Sequence, residues 1–191
     1  MDRFIFRIAC VLTLAVGFAS CSPDPAPVST SSVDQENAAV STTHQLPCGT
    51  DFHGANPGPF SLSQTFVAGR SGNLDKVSLD LQAGVGTPDV EVAIQTLTGF
   101  GYPGGYIGAG SWSGPYNADG GWTDIALTVP APVVAGTTYA ITVYLSACVS
   151  TWSLKLGVSN DAYPSGSVFY YSNLGEGPDG ARDFRFRTWV D

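Results

Sequence analysis

The stretch Tyr139-Ala140-Ile141-Thr142-Val143-Tyr144-Leu145 sets Tyr139, Ile141, Val143 and Leu145 on one side of an extended chain. A two-residue step sends successive side chains to opposite faces, so this segment reads as a half-buried β-strand. Val77, Leu79 and Leu81 repeat the step, as do Val90, Val92 and Ile94, then Ile125, Leu127 and Val129. Trp152, Leu154, Leu156 and Val158 form a further stripe, and Phe184, Phe186 and Val190 the last. With residues 62–67 and 166–171 the pattern predicts about eight strands. Turns such as Val85-Gly86-Thr87-Pro88 and Ala135-Gly136-Thr137 separate them, and no window carries the periodicity of an amphipathic helix. Alternation with one polar face implies antiparallel pairing. The expected fold is all-β, a two-sheet antiparallel sandwich of jelly-roll type spanning residues 47–191.

Several of these segments also resemble a set of bacterial modules. They are Ser63-Gln64-Thr65-Phe66-Val67-Ala68-Gly69, the run from Leu74 to Leu81, the run from Val134 to Ile141, and Asp183 to Val190. Together they are similar to the choice-of-anchor type jelly-roll domains of secreted, surface-attached and phage-tail proteins. The resemblance implies a non-catalytic display or binding domain and brings no set of ligand residues with it. Two features depart from that pattern: a cysteine pair and an aromatic-rich insert.

Outward from the module, the composition changes twice. Between about residues 21 and 46 Ser, Thr, Pro, Ala and Asp dominate and aromatic residues are absent. Such a segment buries too little apolar area to offset its ordering entropy, so a disordered tether is expected, with His44 solvated in it and without a role. Residues 1–20 open with Arg3 and Arg7 and continue into an apolar run from Ile8 to Phe18. That run, about 11 to 13 residues, is too short to cross a roughly 30 Å hydrocarbon core and reads as a secretory signal. Its end, Phe18-Ala19-Ser20-Cys21, resembles a bacterial lipoprotein signal. The resemblance implies cleavage before Cys21, lipidation of that residue (palmitate included) and, from Ser22 in a Gram-negative cell, the outer membrane. An ordinary signal cut near Ala19 is the alternative.

Removing the signal and lipidating Cys21 leaves Cys48 and Cys148. An exported compartment permits them to pair, and closing a loop of about 100 residues is worth roughly 4 to 5 kcal/mol in the chain-entropy model. Two free thiols are the alternative. Eight basic against sixteen acidic residues give a net charge of −8, a sign that repels phosphate backbones and argues against nucleic acid as a partner. Arg182, Arg185 and Arg187 cluster near the C-terminus with Trp189. A solvated outer sheet face accounts for them; a strip binding an anionic group is the sharper reading.

Catalytic constellations are scarce. His53 is the one histidine after the tether, which leaves no members for a triad or a histidine-based metal site. Asp89 with Glu91, or Asp119 with Asp124, could pair for glycoside hydrolysis, but each sits where Asp commonly caps a turn. The expectation is no enzyme. A structural calcium ion is the one cofactor left open, with Asp51, Asp75, Asp80, Asp179 and Asp183 able to supply oxygens and no spacing to choose among them.

The insert from Gly99 to Gly121 is the best functional candidate. Its glycines and prolines read as a loop carrying Phe100, Tyr102, Tyr106, Trp112 and Tyr116. Flat aromatic rings stack on the apolar C–H face of a sugar, while Asn117 and Asp119 can hydrogen-bond hydroxyls. The expected ligand set is therefore Tyr102, Tyr106, Trp112, Tyr116, Asn117 and Asp119, in a membrane-anchored module that recognises a glycan. A structural or adhesive lipoprotein docking onto a surface protein is the alternative, and an envelope glycoside hydrolase or lyase a third.

Overall fold

The computed structural model describes residues 31–39, 42–48, 61–147, 149, 152–172, 175–179 and 182–191. Among the described residues there are strands and turns and no helix. The strands expected from alternation form: β3 (Ser61–Val67), β4 (Gly72–Val85), β5 (Asp89–Leu97), β7 (Trp122–Val133), β8 (Thr138–Ser146), β9 (Ser153–Ser159), β10 (Val168–Ser172), and β12 (Asp183–Phe184) with β13 (Phe186–Val190). Four more were not anticipated: β1 (Ser32–Asn37), β2 (Thr42–Pro47), β6 (Pro103–Trp112) and β11 (Gly175–Asp179).

All pairings are antiparallel, and the strands follow the path β1-β13-β4-β7-β6-β5-β8-β3-β10-β11, with β2, β9 and β12 grouped beside it. The sheet is curled. Phe66 on β3 and Phe186 on β13 lie far apart along that path, yet their rings meet at 6.3 Å. The inward stripes supply the core between them: Leu74, Val77, Leu79 and Leu81 from β4, Val90, Val92 and Ile94 from β5, Ile141 and Val143 from β8, and Leu154 and Leu156 from β9.

Two expectations are corrected. The tether does not extend through residue 46, because β1 pairs with β13 from Ser32 opposite Val190 to Asn37 opposite Phe186, and β2 pairs with β9. These strands are held by polar and main-chain bonds and carry little apolar area, which is why their composition reads as disorder. The buried Asn37 amide donates to Ser159 Oγ at 2.8 Å and to the Phe184 carbonyl at 2.6 Å, while Arg70 Nε contacts Asp34 at 3.3 Å. His44 is accordingly not solvated without a role: on β2 it shares a hydrogen bond of 3.1 Å between Nδ1 and Arg182. The second correction concerns the insert, which is not a continuous loop: its central stretch forms strand β6.

One carboxylate joins the parts. Asp80 sits at the point where β4 stops pairing with β13 and β7 and begins to pair with β9. It is 9% exposed, and its Oδ2 accepts from Arg185 Nη1 while Oδ1 accepts the Gly121 N–H at 2.7 Å. Gly157 on β9 lies against the same side chain, and a Cβ there would fall 2.4 Å from Asp80 Oδ2. Asp183, fully buried, accepts from the Tyr163 N–H at 2.8 Å and from Gln64 Nε2 at 3.1 Å. Its desolvation outweighs these bonds and raises its pKa above the ordinary aspartate value.

Truncating Asp80 to Ala leaves a largely buried guanidinium and a backbone N–H without their acceptor, and should cost about 3 kcal/mol in urea unfolding. Gly157→Ala should cost about 1–3 kcal/mol through overpacking in the same experiment, with Arg185 still paired. Because the folded state holds the Asp183 proton more tightly than the unfolded chain, stability contributed at this site falls as pH rises from the ordinary aspartate range through the raised value. The stability difference between wild type and Asp183→Asn, followed by thermal melts across that window, should therefore shift in favour of wild type as pH falls.

Candidate functional site

The six residues expected to form one ligand set do not come together. Tyr106 and Trp112 stand six residues apart on β6, a separation of roughly 20 Å in an extended strand. Tyr102, before β6, packs edge-on against Phe169 of β10 with ring centroids 5.6 Å apart. Tyr106 is 71% exposed on the outer surface. At the other end of β6, Trp112 and Tyr116 pack against the core. The Tyr116 hydroxyl donates to the Pro88 carbonyl at 2.7 Å and contacts that of Trp112 at 3.3 Å, and its burial raises its pKa. It is a structural residue.

Trp112 and Asn117 do line a cleft, with Pro115, Gly121, Trp122, Thr123 and Asp124, of about 350 Å³. The segment between β6 and β7 that builds it is hooked onto the second half of β4. Leu81 N–H donates to the Gly121 carbonyl at 3.1 Å, Ala83 N–H to the Asn117 carbonyl at 2.9 Å, and Gln82 Nε2 to the Ala118 carbonyl at 2.6 Å. Gly120, at φ +80°, turns the chain so that the Gly121 N–H reaches Asp80. Asn117 Oδ1 accepts the Asp119 N–H at 3.1 Å and stabilises this turn, leaving its amide nitrogen as a donor. Asp119 itself is exposed and does not line the cleft.

Trp122 is the member the sequence reading missed. It opens β7, and the Arg187 and Arg185 guanidinium carbons lie 4.1 and 5.1 Å from its ring centroid. Both arginines are themselves paired, Arg185 with Asp80 and Arg187 with Glu36 at 2.7 Å. Asp124 next to it accepts from Lys76 at 2.9 Å and from Ser78 Oγ at 2.6 Å. Burial works to raise its pKa, but those two bonds and the positive charges of Lys76 and Arg187 outweigh it and hold the carboxyl below the ordinary range. Lys76 also stands 3.7 Å above the Trp189 ring, whose indole N–H donates to Ser78 Oγ at 2.8 Å. The result is a cation–aromatic ladder across β7, β4 and β13 in which Arg185, Arg187 and Lys76 each face a carboxylate, which speaks against the strip for a free anion.

The chemistry on offer is two indoles, an amide, a hydroxyl at Thr123 and a fixed carboxylate. Trp112 adds a buried Nε1–H with no acceptor among the described residues. Of the paired acids, Glu91 accepts from Ser146 Oγ at 2.8 Å and Asp124 is engaged as above. Of the calcium candidates, Asp80 and Asp183 are engaged by protein donors, Asp75 Oδ1 is buried without a partner, and Asp51 lies outside the described residues, as does the side chain of Asp179. Among the described residues no three His, Cys, Asp or Glu side chains form a group able to hold a metal ion. Cys48 is buried, with its N–H bound to the Trp152 carbonyl at 2.8 Å, while Cys21, His53 and Cys148 lie outside the described residues. No protein-family model matches the chain, and no curated protein matches it either.

Proposed function

We propose that this protein is a non-catalytic binding module of the cell envelope, anchored in the outer membrane through lipid on Cys21, whose cleft between Trp112 and Trp122 takes up a glycan. The observation that carries the reading is the pairing of two partly buried indoles with Asn117, Thr123 and Asp124 around one opening. Indole faces supply stacking area for a pyranose, and the three polar side chains supply directional bonds to hydroxyls. The Arg185 and Arg187 side chains beside Trp122 help hold its ring in place, so little ordering accompanies binding. The engagement of Glu91 and Asp124 by Ser146, Ser78 and Lys76 supports a binding role over a hydrolytic one. The curled sheet is read as a two-sheet sandwich of jelly-roll type, supported by the ring contact between β3 and β13. Cys48 and Cys148 are assigned as a disulfide that fastens the end of β2 to the segment after β8.

A glycan array probed with the exported chain carrying Cys21→Ser tests the function. Selective retention of one glycan class is expected, and a blank array with folded protein would overturn the reading in favour of a protein partner. Trp122→Ala and Asn117→Ala should each weaken retention about tenfold or more, equivalent to about 1.4 kcal/mol, while Tyr106→Ala leaves it unchanged. The cysteine assignment predicts no free thiol in the exported protein by thiol titration, and a loss of up to about 5 kcal/mol in Cys48→Ser/Cys148→Ser.

A further inference from the structure

Antiparallel pairing along β13, β4, β7, β6, β5, β8 and β3 places the turns between these strands at two opposite ends of the molecule. At one end β1 begins at Ser32, where the chain arrives from Cys21, and the same end holds the β3–β4, β5–β6 and β7–β8 turns. β1, the β3–β4 turn and the β7–β8 turn are tied together: Gly69 N–H donates to Asp34 at 2.9 Å, Gly136 N–H to the Ala68 carbonyl at 2.7 Å, and Ala135 N–H to Ser71 Oγ at 3.0 Å. The cleft lies at the opposite end, where β6 finishes and β7 begins.

The end that receives the chain from Cys21 presents apolar side chains to the outside. Phe100, at the tip of the β5–β6 hairpin, is 91% exposed, and Val134 in the β7–β8 turn is 58% exposed. Gly99 and Gly101 flank Phe100, and a Cβ on either would meet nothing within 4 Å, so the tip projects clear of the module. The charges described nearby are balanced or acidic: Arg70 pairs with Asp34, and Asp191 accepts the Asn73 N–H at 2.9 Å.

We propose that this end rests on the lipid bilayer, with Phe100 and Val134 entering the interface and the cleft directed away from the membrane. The inference rests on lipidation of Cys21. Ten peptide steps from Cys21 to Ser31 reach at most about 35 Å. β7 alone, from Trp122 to Val133, measures about 36 Å, so the tether is too short to lay the cleft end on the membrane without being drawn taut along the whole module. Aromatic and aliphatic side chains at a hairpin tip gain by entering the headgroup boundary. With no excess of basic residues there, the contact is apolar and needs no anionic lipid.

The test uses the full lipidated chain in phosphatidylcholine vesicles, with Phe100→Trp, Val134→Trp and, at the opposite end, the exposed Val85→Trp. Vesicles made with chain-brominated phosphatidylcholine should quench at least half of the emission added at positions 100 and 134, and leave that added at position 85 nearly unchanged. Emission at position 100 no more quenched than at position 85, in protein that floats with the vesicles, overturns the orientation while leaving the anchor intact. Protein that fails to float overturns the anchor and the orientation together.

Discussion

The ion pair of Asp80 with Arg185 is the interaction on which the remaining arrangement depends. A buried carboxylate needs donors and space: this one takes donors from two directions, the guanidinium after β12 and the N–H of Gly121 before β7, and its room from Gly157 on β9. Satisfying it fixes how far β9 and the β6–β7 segment can stand from β4. It also sets Arg185 beside Trp122, so the wall of the cleft is positioned by the same group that closes the core.

The ladder of Trp122, Arg187, Lys76 and Trp189 extends that constraint over the outer surface. Each cation faces both a ring and a carboxylate, an arrangement that holds long side chains in one geometry at partly exposed positions. The cleft therefore inherits rigidity from a polar surface network and from the apolar core behind Trp112.

The alternating stripes were legible because burial of one face leaves a period of two in the sequence, as in Tyr139, Ile141, Val143 and Leu145. β6 was not, because close approach to β7 removes its side chains: a Cβ on Gly108 would lie 2.6 Å from that of Ala131, and one on Gly110 2.4 Å from the Ala126 carbonyl oxygen. Glycine demanded by packing reads as a loop. β1 escaped for another reason, since its contribution is main-chain pairing, one buried amide and the ion pairs of Asp34 and Glu36, none of which leaves a hydrophobic pattern. Trp112 and Asn117 are legible by residue type; Trp122 is not, because it lies one residue past the Gly99–Gly121 insert and ahead of the Ile125, Leu127 and Val129 stripe.

The pairing of β1 with β13 also has a mechanical meaning. A pull on the chain entering at Ser32 acts along the strand axis, in the direction that slides β1 past its neighbour. Sliding loads the ladder from Ser32–Val190 to Asn37–Phe186 all at once, together with the Asn37 amide and the Arg70 grip on Ser32, Asp34 and the Val33 carbonyl. A strand peeled from the side would give way one bond at a time. Loaded in shear, the first strand acts as a clamp, and tension delivered through the N-terminal segment is borne by the sheet as a body.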